Sequence, residues 1–164
     1  MGRAFLEAAA ALGAAAAFAA ITAAHAAEAP VAMELPQLDG SRFVRLSEFE
    51  GKAMLLNFWG SECPPCLVEM PTLFAMAARH ENVQFLGIAV DQRQDAVRFL
   101  AGRGPTYPQL AAPVRPEVLL RRLGNPKGAL PYTLVLDRSH RACRSHVGEV
   151  DAAWVSSAIA ACGG

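Results

Sequence analysis

Short apolar runs bounded by turn residues divide much of the chain into predicted strands. The run 53–58 reads Ala-Met-Leu-Leu-Asn-Phe, which is typical of a strand buried on both faces. A second near-continuous apolar run covers 83–90, and 132–136 is rich in residues that favour strands. A turn at 137–140 then predicts that 141–147 returns as an antiparallel partner of the preceding strand.

Helical spacing of apolar residues begins after the first long run. From Pro65 onward, apolar residues recur three and four positions apart and form one stripe: Leu67, Met70, Leu73, Phe74 and Ala77. Further helices are predicted through 96–100, over 117–123, and after Asp151, a suitable N-cap for the last of them.

Turn and breaker residues account for most of the remaining segments. Asp39-Gly40 lies between two short apolar stretches and predicts a small N-terminal hairpin. Four prolines within 105–116 predict an irregular connection with a short extended piece at Gln109-Leu110. Strands that alternate with helices, followed by a strand-turn-strand unit, predict an α/β fold with a mixed sheet flanked by helices. At 164 residues, one domain is expected.

The first residues resemble an export signal. Arg3 supplies a positive charge, 8–24 contains no charged residue, and 24–26 (Ala-His-Ala) fits a cleavage site, which makes 1–26 a signal peptide and 27–164 the folded domain. The alternative is an uncleaved anchor, because the apolar run extended back to residue 5 approaches the about 20 residues of a membrane span. Both alternatives place the domain outside the cytoplasm, where disulfides persist.

The charge balance directs attention to a site rather than to a charged face. Lys plus Arg and Asp plus Glu each number 15, so no net field attracts nucleic acid or an acidic membrane surface. The candidate chemistry is Cys63-Pro64-Pro65-Cys66, directly after the first buried run and at the start of a predicted helix. A helix N-terminus stabilises a thiolate, so Cys63 is the expected nucleophile and Cys66 the resolving cysteine.

Two other interpretations of this pair are a structural disulfide and half of a zinc site. Zinc needs four ligands, commonly two such pairs. Here Cys143 and Cys162 are far apart in sequence, and no spaced His pair follows, so the redox interpretation is preferred.

Four segments of the chain together form a recognisable pattern: 56–66 (LNFWGSECPPC), 69–71 (EMP), 128–137 (GALPYTLVLD) and 146–150 (HVGEV). In these segments the chain resembles the TlpA/ResA branch of the thioredoxin-like family. This resemblance implies the thioredoxin-like fold, a thiol:disulfide oxidoreductase, and no cofactor other than the redox-active Cys63–Cys66 disulfide.

The resemblance also implies roles for residues around the pair. It implies a cis Leu130-Pro131 bond facing the cysteines, with Leu130 presenting its backbone in a substrate groove and Trp59 keeping an aromatic position beside it. The alternatives are a trans proline that ends the preceding loop and a Trp59 that only packs beside the motif. The resemblance further implies that Glu69, three residues after Cys66, is an acid/base for that thiol, whereas the spacing alone allows a solvated helix carboxylate. Glu62 departs from the family pattern, and a carboxylate close to Cys63 would raise the pKa of that thiol.

The other two cysteines are candidates for a structural disulfide. Alternation along 141–147 places Cys143 on the face of Val147, and in the last helix Cys162 shares a stripe with Val155 and Ile159. The strand and the returning helix each span roughly 17 Å, so the helix brings Cys162 back over Cys143. Such a bond is worth about 3 kcal/mol. Two unpaired thiols and an intermolecular role remain open.

The export signal predicts a periplasmic protein, and a monomer is expected. The resemblance favours a reductant of exported protein disulfides, as in cytochrome c maturation or copper-site assembly. Its electrons would come from a membrane thiol protein, and it would touch the membrane only through an uncleaved N-terminus. One alternative is an oxidase that donates disulfides to folding proteins. Another is a copper-binding chaperone on the same fold, against which the two-residue cysteine spacing argues.

Overall fold

The computed structural model describes residues 29–164, and the predicted leader with its cleavage site lies outside them. Within the described range, seven strands and four α-helices follow one another in the predicted order. They are β1 (Glu34–Pro36), β2 (Phe43–Arg45), β3 (Ala53–Trp59), α1 (Pro64–Arg79), β4 (Val83–Ala89), α2 (Arg93–Leu100), β5 (Gln109–Ala111), α3 (Pro116–Arg122), β6 (Tyr132–Leu136), β7 (Ala142–Val147) and α4 (Ala152–Ala161). None of these helices is long and apolar enough to cross a membrane.

Five strands form one mixed sheet in the order β5-β4-β3-β6-β7. β3 pairs in parallel with β4 and antiparallel with β6, and β6 pairs antiparallel with β7. β1 and β2 form a separate antiparallel hairpin, and a bridge between Gln37 and Leu110 attaches it next to β5. The predicted α/β architecture, with its mixed sheet and N-terminal hairpin, is confirmed.

The central strand β3 is buried on both faces, as its unbroken apolar run predicts. Alternate side chains of the sheet enter two layers. Met54, Leu56 and Phe58 pack in the layer that contains the hairpin and α3. Ala53 and Leu55 pack in the layer that contains α1 and α4. The active-site residues of β3 described below lie on this second face.

A bulge in β7 corrects the predicted placement of Cys143. Val147 pairs with Tyr132, so it lies on the hairpin side of the sheet, whereas the His146 ring contacts Trp154 of α4 on the other side. Arg144 pairs with Val135 and Ala142 with Leu136, which leaves Cys143 as the extra residue of the bulge. The prediction that Cys143 shares a face with Val147 is therefore wrong, because the inserted residue reverses the alternation.

Candidate active site

The Cys63–Cys66 disulfide lies at the N-terminus of α1. Cys63 is the N-cap residue, and its Sγ accepts a hydrogen bond from the backbone N–H of Cys66 at 3.3 Å. Pro64 and Pro65 have no N–H, so the N–H of Cys66 is the first that this helix end presents. After reduction, a thiolate on Cys63 would receive this bond and the positive end of the helix dipole.

The two sulfur-bearing residues differ in accessibility. Cys63 is half-buried, whereas Cys66 is fully buried against Trp59 and Met70. An incoming thiol or disulfide can therefore reach Cys63 and not Cys66. Glu62, the departure from the family pattern, is exposed beside Cys63.

The loop before Cys63 is held by Asp91, a residue that the sequence analysis did not select. The backbone N–H of Ser61 donates to the Asp91 carboxylate, and the N–H of Cys63 donates to the Gly60 carbonyl at 3.2 Å. A Cβ on Gly60 would lie 3.1 Å from Asp91 Oδ1 and 3.5 Å from Leu130 Cδ1. Asp91 follows β4 directly, and because β3 and β4 are parallel, their carboxyl ends meet at this edge of the sheet.

The Leu130-Pro131 peptide bond is cis, and Leu130 lies close to Gly60 in the loop before Cys63. Leu130 packs against the same apolar cluster as Cys63. The backbone N–H of Gly148 donates to the Pro131 carbonyl at 2.8 Å, and the buried Asn125 side chain donates to the Ala129 carbonyl at 2.8 Å. The structure thus anchors the chain on both sides of the cis bond.

Glu69 is buried in α1, about one helical turn after Cys66, with 1% of its surface exposed. Its Oε1 accepts from Asn57 Nδ2 at 2.7 Å, and its Oε2 accepts from the backbone N–H of Val150 at 3.0 Å. Burial raises the pKa of Glu69 to about 7, the two hydrogen bonds act in the opposite direction, and the Glu149 charge adds to the rise. A carboxyl with this pKa can take up and release a proton near neutral pH.

Asn57 and Val150 complete this buried group, and neither was predicted from the sequence as a site residue. Asn57 is fully buried in β3, and its Nδ2 also donates to Thr133 Oγ1 of β6 at 3.3 Å. The signal for Asn57 was an amide inside an otherwise apolar run. The contribution of Val150 comes from its backbone, so its side-chain type carried no such signal.

Trp59 lies under the active site rather than on its surface. It has no exposed surface, and its Nε1 donates to Gln109 Oε1 at 3.0 Å. The centroids of its ring and the Phe99 ring are 5.5 Å apart. Because a fully buried ring cannot contact a docked peptide, this corrects the predicted place of Trp59 in the substrate groove. Its contacts with neighbouring side chains support the floor of the site.

The structure joins Cys143 and Cys162 by a disulfide, with Cα atoms 5.8 Å apart. Cys143 is exposed in the β7 bulge, whereas Cys162 is buried at the C-terminal end of α4. This pair is distinct from the Cys63–Cys66 pair at the start of α1.

Comparisons with known proteins agree with this arrangement. Over 108 residues the chain is 33% identical to the thiol-disulfide oxidoreductase ResA of Geobacillus thermodenitrificans, covering 64% of this chain and 59% of that protein. Over 95 residues it is 36% identical to the DsbE homolog, a thiol:disulfide interchange protein, of Paracoccus denitrificans, covering 57% of this chain and 50% of that protein. The chain thus spans between half and two thirds of the length of these relatives.

A solved structure and a family model extend the match to most of the chain. The secreted thiol-disulfide isomerase of Corynebacterium glutamicum superposes with a TM-score of 0.72 at 28% sequence identity, covering 82% of this chain and 83% of that one. The AhpC/TSA family model matches residues 26–147, which is more than half of the chain. These matches confirm the predicted resemblance, and the chain belongs to the AhpC/TSA family and has its thioredoxin-like fold.

Proposed function

We propose that the protein is a thiol:disulfide oxidoreductase of the cell envelope that reduces disulfides in exported proteins. The observation that carries the proposal is the Cys63–Cys66 disulfide at the N-terminus of α1, accompanied by Leu130 in the same apolar cluster as Cys63 and by the buried Glu69 further along α1. The disulfide itself is the redox group. Among residues 29–164, no three His, Cys, Asp or Glu side chains are grouped so as to hold a metal ion.

The reaction consists of two exchanges. The Cys63 thiolate attacks a sulfur of the substrate disulfide, so a mixed disulfide forms and the other substrate sulfur leaves as a thiolate that takes a proton from water. Cys66 then loses its proton and attacks Cys63 Sγ, which closes the Cys63–Cys66 disulfide and releases the second substrate thiolate. Two electrons pass from the enzyme dithiol to the substrate.

Glu69 is the base for the second exchange. In this step the buried Cys66 thiol must lose a proton, and bulk water does not reach it directly. The ionised Glu69 carboxylate, held by Asn57 and Val150, takes that proton and returns it to solvent before the next cycle. The raised pKa keeps both protonation states populated near neutral pH.

Leu130 and Pro131 form the substrate groove. An extended substrate peptide pairs with the Leu130 backbone, in the manner of an added strand, and this places its cysteine over Cys63. The anchors from Gly148 and Asn125 hold this edge in place.

The proposed location is the periplasm, with the protein soluble or tethered by its N-terminus, and the proposed electron donor is a membrane thiol protein. Support comes from the names of the relatives, which include a secreted isomerase and interchange proteins. The chain acts as a monomer in this proposal. Cytochrome c maturation and copper-site assembly are the processes expected to use such a reductant.

Trapping of mixed disulfides tests the reaction. In a Cys66→Ala variant the second exchange is blocked, so exported proteins should remain bound to Cys63 and be released by reductant. The matched control is Cys63→Ala, which should trap nothing. If Cys66→Ala captures no protein and the wild type does not reduce insulin, the proposed function is wrong.

The equilibrium of the Cys63–Cys66 pair with glutathione tests the direction of electron flow. A pair that is oxidised in the presence of a large excess of reduced glutathione belongs to a reductant. A pair that glutathione reduces readily would instead identify a disulfide donor.

A further inference from the structure

The turn between β7 and α4, residues 148–151, contacts both functional elements that accompany the cysteine pair. Gly148 donates its N–H to the Pro131 carbonyl, and Val150 donates its N–H to Glu69 Oε2. Both donors are backbone groups. Their position therefore depends on how this turn is held, and not on the side chains at 148 and 150.

The Cys143–Cys162 disulfide closes the segment that contains this turn. Cys143 precedes the turn in β7, and Cys162 follows it at the end of α4, so the bond links the far ends of the strand and the helix. The β7 bulge is what directs Cys143 to the α4 side of the sheet, since a regular strand would direct it to the hairpin side. Within the closed segment, Val150 and Cys162 pack in the same apolar cluster.

We propose that the Cys143–Cys162 disulfide is a positioning element of the active site, which keeps the Gly148 and Val150 N–H groups against Pro131 and Glu69. The proposal rests on the proposed function. Besides stabilising the fold, the bond would have a specific effect on Glu69, the proposed acid/base, and on the Leu130-Pro131 segment of the proposed substrate groove. Without the bond, α4 and β7 are joined only through the turn itself and through packing. The turn then samples positions in which the Val150 N–H no longer reaches the Glu69 carboxylate.

The ionisable groups around Glu69 determine which signal reports this change. They are Glu149 on the turn and the Tyr107 phenol, whose pKa burial raises. After reduction, the Cys66 thiol three residues earlier in α1 is a further titratable group. In the oxidised protein Cys66 does not titrate. The Val150 amide proton shift therefore follows the ionisation of Glu69 as long as the hydrogen bond between them is present.

The experiment compares the oxidised wild type with the double variant Cys143→Ala/Cys162→Ala. The pH titration of the Val150 amide proton is followed by NMR. The rate at which the protein reduces insulin disulfides is measured well below the unfolding temperature. We expect the amplitude of the Val150 titration to fall by roughly half or more because the hydrogen bond weakens steeply with misalignment. We expect the reduction rate to fall by about tenfold, since the loss of one positioned donor changes the proton-transfer step. If the double variant does not fold, Cys143→Ser opens the bond and keeps the buried Cys162 side chain in place.

A matched control separates positioning from general stability. Val155→Ala removes buried apolar contacts in the same helix and core layer but leaves the disulfide intact. It should lower the unfolding temperature without changing the Val150 titration. The proposal is overturned if the double variant loses stability and keeps the wild-type Val150 titration and reduction rate. Failure of the proposed function is a different result, namely a wild type that reduces no disulfide, and the NMR titration does not depend on that activity.

Discussion

Glu69 is the residue in which burial and chemistry are most closely joined. A carboxyl with 1% of its surface exposed is disfavoured in its charged form, and two donors aimed at it offset part of this cost. Asn57 supplies one donor from β3, and Val150 supplies the other from the turn before α4. Glu69 can therefore gain or lose a proton near pH 7 while it stays in place. A buried thiol such as Cys66 needs a proton acceptor of this kind in order to ionise.

Removal of the Glu69 carboxyl should slow the closing of the disulfide. In a mixed disulfide between Cys63 and thionitrobenzoate, release of the coloured thiolate reports the attack by Cys66. In the wild type this rate should rise with pH around a midpoint near 7, where Glu69 ionises. In Glu69→Gln the rate at pH 7 should fall by about a hundredfold, because the local base is lost.

Glu149→Gln is the control for this measurement. It keeps Glu69 and removes a neighbouring charge that raises the Glu69 pKa, so the midpoint should move to lower pH while the rise remains. An unchanged midpoint and rate in Glu69→Gln would contradict the assigned role.

The same pKa shift predicts how stability depends on pH. The pKa of Glu69 is about 7 in the folded state, against an ordinary value of 4.5, so the folded protein keeps a proton that the unfolded chain has released. This stabilisation is complete below about pH 4.5 and is lost as the pH rises through 7, which amounts to about 3 kcal/mol. Glu69→Gln has no such proton to lose, so its stability should fall less than that of the wild type between pH 5 and pH 8. Guanidinium unfolding of both oxidised proteins at pH 5 and pH 8 checks this. If the free energy of unfolding changes by the same amount in both proteins between these pH values, the prediction is wrong.

At the scale of elements, apolar periodicity was sufficient for the sheet and the helices around it. The runs at 53–58 and 83–90 became the two central parallel strands, and the stripe after Pro65 became α1. The bulge at Cys143 could not be predicted because nothing in the composition of β7 marks an extra residue, and one inserted residue reverses every later face. Contacts made by backbone N–H groups, such as that of Val150, also could not be predicted from the sequence, because every non-proline residue carries the same donor.

The N-cap of α4 is an element whose contribution can be measured directly. Asp151 Oδ1 accepts from the Trp154 N–H at 2.7 Å and satisfies one of the free donors of this helix end. Asp151→Ala should lower the free energy of unfolding by about 1 kcal/mol, whereas Asp151→Ser should retain most of it because a hydroxyl also caps. Thermal unfolding of the three proteins tests this, and an equal loss in both variants would exclude a capping role.

At the scale of the whole molecule, one helical layer serves both disulfides. α1 holds the Cys63–Cys66 pair and α4 ends at Cys162, and both helices pack on the same face of the sheet. In each pair one cysteine is accessible and the other is buried. The two pairs differ in what surrounds the buried sulfur, and this difference should separate an exchangeable bond from a permanent one.

Limited reduction should therefore open only the Cys63–Cys66 bond. Attack on Cys63 releases the Cys66 thiolate next to Glu69, whose carboxyl supplies a proton near neutral pH. Attack on the exposed Cys143 would release the Cys162 thiolate among Val155, Ala158 and Ile159, an apolar setting that disfavours the charge and so slows the exchange. With one equivalent of dithiothreitol, followed by acid quenching, alkylation with N-ethylmaleimide in denaturant so that the buried thiols react, and peptide mapping, Cys63 and Cys66 should be alkylated at least about tenfold more than the other two. Equal labelling of all four cysteines would show that the buried surroundings of Cys162 give its bond no protection.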